Sequence, residues 1–88
     1  MAIKNDVRLL IDPEFIAEMQ RVFVVGSAIH GKGYWKDREV DVDEEREHIH
    51  GHWIEALFND TDSDSGCSVY AHIACRAMIA WYGGKESK

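Results

Sequence analysis

The stretch Asp41-Val-Asp-Glu-Glu-Arg-Glu-His-Ile-His-Gly-His-Trp-Ile-Glu55 decides how this chain is read. It carries six carboxylates and three histidines in fifteen residues, with an apolar stripe running through them. The spacing predicts a helix opening near Asp43. At about 100° per residue, Ile49, Trp53, Ala56 and Leu57 share one face at i, i+4, i+7 and i+8. A second stripe beside it holds Glu45, His48, His52 and Glu55, with Glu44 at its edge. Carboxylates and imidazoles three or four apart meet on one helix face, the spacing at which a helix offers mixed oxygen and nitrogen ligands. Acids near a helix start also favour the positive end of the dipole, so part of this cluster has a purely structural explanation. His48 and His52 on the same stripe are what point to a site.

Working backwards from that helix, Glu39 to Asp43 reads as an acidic linker. Before it lies His30-Gly-Lys-Gly-Tyr-Trp-Lys-Asp-Arg38, a loop with two glycines and two aromatics. It lacks the spacing of a phosphate-binding P-loop and reads as a helix–helix connection in which Trp35 plugs the core. Asp12-Pro13-Glu14 is a helix start, with an Asp cap, Pro at the first helical position and an acid in the first turn. Phe15, Ile16, Met19, Val22 and Phe23 follow at helical spacing, with Glu14, Glu18 and Arg21 facing out. This outweighs the β-prone run Val22–Val25 and predicts a helix over 13–29, with Gly26 weakening its end. Residues 1–11 are a short lead.

Working forwards, Asn59-Asp-Thr-Asp-Ser-Asp-Ser-Gly66 imitates a calcium loop through Asp60, Asp62 and Asp64. Ser65 stands where that loop needs Gly, and Ala71 where it needs a bidentate Glu, so a turn leading into a helix cap is expected instead. The next helix is predicted over 67–82 with Tyr70, Ile73, Ala74, Ala77, Met78 and Trp81 on its apolar face. His72 and Arg76 sit beside that face, Gly83-Gly84 ends the helix, and residues 83–88 form a polar tail.

Together these give a single all-α domain over 1–88, a small bundle of three helices at 13–29, 43–58 and 67–82. With 88 residues the chain has little core of its own, and 45% hydrophobic residues keep it in the globular class. Three Trp, three Tyr and three Phe are more aromatic surface than one such bundle hides, which favours completion by a homodimer with Trp53, Tyr70 or Trp81 at the interface. The net charge of −6 argues against direct nucleic-acid or anionic-membrane binding. It suits a metal site or a basic protein partner. Cys67 and Cys75 lie too far apart along one helix to form a disulfide, so reduced thiols and a cytoplasmic setting are expected. No apolar run reaches membrane-spanning length.

Gly26-Ser-Ala-Ile-His-Gly-Lys-Gly-Tyr-Trp35, the acidic helix with His52, the turn Asp60-Thr-Asp-Ser-Asp-Ser-Gly66 and then Ala71-His-Ile-Ala-Cys-Arg-Ala-Met78 occur in an order that resembles a known family. The chain is similar, over about residues 13–82, to the phage-borne dATP/dGTP diphosphohydrolases. These are MazZ-like members of the all-α NTP pyrophosphohydrolase (MazG-like) superfamily. The resemblance implies an α-helical oligomer in the host cytoplasm that uses Mg²⁺ or Mn²⁺ to cleave a nucleoside triphosphate to monophosphate and pyrophosphate. Asp43, Glu44 and Glu47 fall near the superfamily's first acidic motif, implying catalytic roles for Glu44 and Glu47. His52 and His72 match family histidines. The superfamily's second acidic motif has no counterpart here, since the last predicted helix presents His72 and Arg76, and Val69 replaces a further histidine.

The expected site is therefore a divalent metal on Glu44, Glu45, His48, His52 and His72. Mg²⁺ or Mn²⁺ suits the carboxylates, while the histidines also admit Zn²⁺, Ni²⁺ or Co²⁺. Lys32, Lys36 and Arg76 would neutralise the triphosphate, and Trp35 or Tyr34 would stack on the base. A small acidic interaction protein on the same scaffold, blocking a basic surface, is the alternative. Convergence of acids and histidines in one pocket separates the two readings.

Overall fold

The computed structural model describes residues 10–31 and 33–86. It is all-α, with α1 at Pro13–His30, a single 3-10 turn at Trp35–Asp37, α2 at Val42–Ala56 and α3 at Val69–Glu86. Among the described residues no helix is long and apolar enough to cross a membrane. Lys32, expected to meet a triphosphate, lies outside the described residues, as does most of the lead segment.

Local chemistry sets the helix starts. Asp12 caps α1 by accepting the Glu14 N–H at 2.9 Å, and Pro13 occupies the first turn. Gly31 closes α1 in the left-handed region at φ 64°, donating its N–H to the Ser27 carbonyl. Asp41 caps α2 by accepting from the Asp43 and Glu44 N–H groups at 3.1 and 3.2 Å. Ser68 caps α3, its hydroxyl accepting the Ala71 N–H at 3.3 Å, so the turn-and-cap reading of the Asp-Ser stretch holds.

α3 is the central helix, with α1 and α2 both packed on it. Val42 meets Gly83, Glu45 meets Arg76 and His52 meets His72, a descending register that makes α2 and α3 antiparallel. On its α1 side, α3 forms the core of Val22, Cys67, Ala71 and Cys75, with Phe15, Met19, Phe23 and Val25 packed round it. Glu18 and Arg21, expected to face out, instead fasten α1 to the loop before α3. The Ser68 N–H donates to Glu18 at 2.7 Å, and Arg21 donates to the Gly66 carbonyl at 3.3 Å. Both cysteines are buried and free, and burial pushes the Cys75 thiol up to about 12, so Cys75 is no reactive thiolate near neutral pH.

Gly83-Gly84 does not end α3, which continues to Glu86. The reason is packing: a Cβ on Gly83 would lie 2.5 Å from Val40 Cγ1 and 3.1 Å from Val42 Cγ2, so this glycine lets the start of α2 close against α3. Gly83→Ala is expected to lower stability by about 1 kcal/mol, the overpacking cost outweighing the helix-propensity gain. Gly26→Ala, with nothing within 4 Å of the new methyl group, should raise it by about 0.5–1 kcal/mol. Paired thermal melts check the contrast.

Candidate metal centre

The acid and histidine stripe of α2 turns inward except at His48, which is exposed. Glu45 is buried, His52, Glu55 and Ala56 are half-buried, and Trp53 and Leu57 face solvent. Each inward polar side chain has a partner. Arg76 of α3 donates to both Glu45 oxygens, at 3.0 and 3.3 Å. His52 stacks on His72 with ring centroids 4.6 Å apart and an interplanar angle of 24°. Its Nδ1 lies 3.2 Å from Glu55 Oε1 and 3.9 Å from Asp62 Oδ1.

Asp62 comes from the turn between α2 and α3. Its Oδ2 accepts the N–H groups of Asp64 and Ser65 at 3.2 and 2.9 Å, and its own backbone joins Cys67 and Gly66 across the loop. Gly66 supplies the positive φ of 72° that lets this turn close. The turn thereby aims one Asp62 oxygen at the backbone and the other toward His52. His52, Glu55 and Asp62 form a group whose donor atoms all lie within 4.8 Å of one another, a set that can hold a metal ion. His72 is its neighbour: the Nε2 atom is 2.7 Å from Ser65 Oγ and 3.8 Å from Asp62 Oδ2. An open cleft of about 480 Å³ lies beside the group, lined among others by Glu47, His48, His52, Glu55 and Asp62.

The expected residues are thus only partly brought together. His52 is in the group and His72 is stacked against it. Glu45 is committed to Arg76, and Glu44 pairs at the surface with His48, 3.7 Å from its Nε2. His48 and Glu47 reach the cleft, while Glu44 is not among its lining residues. Trp35 packs on Phe23 and Tyr82, with centroids at 6.4 and 5.2 Å, and Lys36 sits 4.9 Å over the Tyr82 ring. Tyr82 is ten residues along α3 from His72, roughly 15 Å at the helical rise, so Trp35 and Lys36 stand well away from the metal group. Glu55 and Asp62 are the members of this group that sequence reasoning left out of the set. Glu55 was visible on the stripe, one turn after His52. Asp62 was visible only as a turn residue.

Burial pushes the Asp62 carboxyl up, but hydrogen bonds with Ser65 and Glu55 and the charge of His72 outweigh it and leave it below its ordinary 3.8. Burial, then the neighbouring His52 and Arg76, lowers His72 below its ordinary 6.5, against the opposing pull of Asp62 and Glu55. The carboxylate is therefore charged and this imidazole neutral near pH 7, the forms that surround a cation. Both folded values are depressed, so both groups add stability above their unfolded values and lose it as pH falls through the folded ones. Thermal melts should show a first loss of stability setting in below about 6.5 and a second below about 4. A pH-independent Tm from 7 to 4 would contradict this.

Compared with family models, curated proteins and solved structures, the chain matches none.

Proposed function

We propose that this chain is a divalent-metal-dependent nucleoside triphosphate hydrolase, cleaving a purine dNTP into dNMP and pyrophosphate as the resemblance in its sequence implies. The observation that supports this most is the convergence of His52, Glu55 and Asp62 beside an open cleft, with His72 held neutral behind them. Acids and histidines gathered at one point favour a site over an acidic surface spread for a basic partner.

One imidazole and two carboxylates suit Mn²⁺ or Zn²⁺ better than all-oxygen Mg²⁺, and three protein ligands leave positions open, as catalytic sites require. A bound ion supplies charge neutralisation for phosphate oxygens and acidifies a water. His52, Glu55 and Asp62 would hold it. Ser65 and the His52 stack fix the His72 ring, and Glu47, which lines the cleft, would take a proton from the attacking water. The reaction adds water at the α-phosphorus and breaks its bond to the bridging oxygen of the β-phosphate, releasing pyrophosphate.

Pyrophosphate release from dATP and dGTP with Mn²⁺ or Mg²⁺ tests this. Release by the wild-type chain that Glu47→Gln reduces at least about 100-fold, in the range of lost general-base catalysis, supports the assignment. Metal uptake without release sinks the hydrolase reading and keeps the metal site. Neither uptake nor release favours the acidic interaction protein.

A further inference from the structure

α1 gives no side chain to the metal group, yet it grips the turn that does. One oxygen of Glu18, a side chain only 28% exposed, accepts the Ser68 N–H at 2.7 Å and an Arg21 N–H at 3.1 Å. Arg21 donates from the same nitrogen to the Gly66 carbonyl at 3.3 Å. The turn they hold is cross-bonded within itself. The Asp62 N–H donates to the Cys67 carbonyl at 2.8 Å, the Gly66 N–H to the Asp62 carbonyl at 2.9 Å, and the Val69 N–H to the Asp60 carbonyl at 2.9 Å. The Cys67 N–H donates to Ser65 Oγ at 3.1 Å, and that oxygen lies 2.7 Å from His72 Nε2. A unit bonded this way moves as one piece, so whatever holds its Gly66–Ser68 end sets where its Asp62 end points. Asp62 Oδ1 leaves that unit toward α2, 3.9 Å from His52 Nδ1.

We propose that Glu18 is a positioning residue for the metal group: with Arg21 it clamps the turn so that Asp62 stays within reach of His52 and Glu55. Ligand atoms have to be placed to about 0.2 Å, and a ligand on a turn depends on what braces that turn. His52 and Glu55 are fixed by α2 itself, so Asp62 is the member that needs a brace. A carboxylate suits the task. It makes a charge-assisted bond to Arg21, and it sits at the start of α3, where the helix dipole favours negative charge. Because clamp and ion act on one turn, they are linked: docking of α1 tightens the ion, and the ion tightens the docking of α1 by the same factor. This role rests on the metal reading of the group. It competes with plain helix capping, in which Glu18 only satisfies the Ser68 N–H.

Titration calorimetry of the full chain with Zn²⁺ and Mn²⁺, well below its Tm, separates the two. Glu18→Ala should lower affinity about tenfold with helix content retained, the low end of the range for a group standing behind a ligand. Glu18→Gln keeps a carbonyl oxygen for the Ser68 N–H and should stay within about threefold of wild type. Val25→Ala loosens the packing of α1 on the same core without touching the clamp, and it too should stay within about threefold. Amide exchange by NMR on the metal-free chain is the second readout. The Asp64 and Ser65 N–H groups, which Asp62 Oδ2 holds, should exchange about tenfold faster in Glu18→Ala and no more than about threefold faster in Val25→Ala. Plain capping predicts a lower Tm with both readouts unmoved, and that result overturns the proposal. So does a Val25→Ala variant that loses as much metal affinity as Glu18→Ala. A wild-type chain that takes up neither ion sinks the metal reading, and exchange at those two amides then decides by itself whether Glu18 holds Asp62 in place.

Discussion

Asp62→Asn is expected to abolish metal uptake while leaving the fold intact. The two oxygens of Asp62 do separate jobs. Oδ2 accepts the Asp64 and Ser65 N–H groups that close the turn, and Oδ1 faces His52 Nδ1 at 3.9 Å. An asparagine keeps one carbonyl oxygen for the turn and turns an NH₂ group, a donor without a ligand lone pair, toward the site. Titration calorimetry with Mn²⁺ and Zn²⁺ should show affinity falling by at least about 100-fold, the top of the range for losing even an outer-shell partner. Stability should fall by no more than about 1 kcal/mol, one altered hydrogen bond. Asp62→Ala removes both functions and should unfold the turn as well. Wild-type protein that takes up neither ion at pH 7.5, or an Asn variant that binds as tightly as wild type, would remove the site from this location.

How far the sequence reveals this arrangement depends on whether the signal is local. The starts of α1 and α2 are written in Asp12-Pro13 and in Asp41 with the acids after it, and both helices begin within one residue of the expected place. The end of α3 lies beyond the expected one because Gly83 serves close packing against Val40, a contact that the local sequence does not show. The orientation of α2 is a tertiary fact. Hydrophobicity alone would bury Trp53 and Leu57, but the opposite stripe finds Arg76, His72 and Asp62 across the gap. Those partners lie up to 31 residues away in the chain and leave no periodic trace. The same holds for the metal group: His52 and Glu55 are legible as a helical pair, whereas Asp62 joins them only because the turn folds back.

Arg76→Ala should be the most destabilising single change on the α2–α3 seam. Glu45 is buried there with 8% of its surface exposed, and the Arg76 guanidinium is the cation that meets both its oxygens. Removing one partner of a fully buried pair costs about 3–5 kcal/mol. The Arg76 side chain is 34% exposed, so solvent screens the pair and about 2–3 kcal/mol is the expected loss. In a chain of this size that lowers Tm by about 10–20 °C. Glu45→Ala should cost less, about 1–2 kcal/mol, because the orphaned arginine can reach water while an orphaned buried glutamate cannot. Replacing both, as Glu45→Leu with Arg76→Met, should recover most of the loss, since the seam then buries apolar groups of similar size. Equal costs for the two single changes would show that the pair is solvated and contributes little. The same melts decide the role first read for Arg76 in the sequence. An arginine committed to Glu45 makes Arg76→Met a stability variant; an arginine that binds triphosphate makes it one with raised KM and an unchanged Tm.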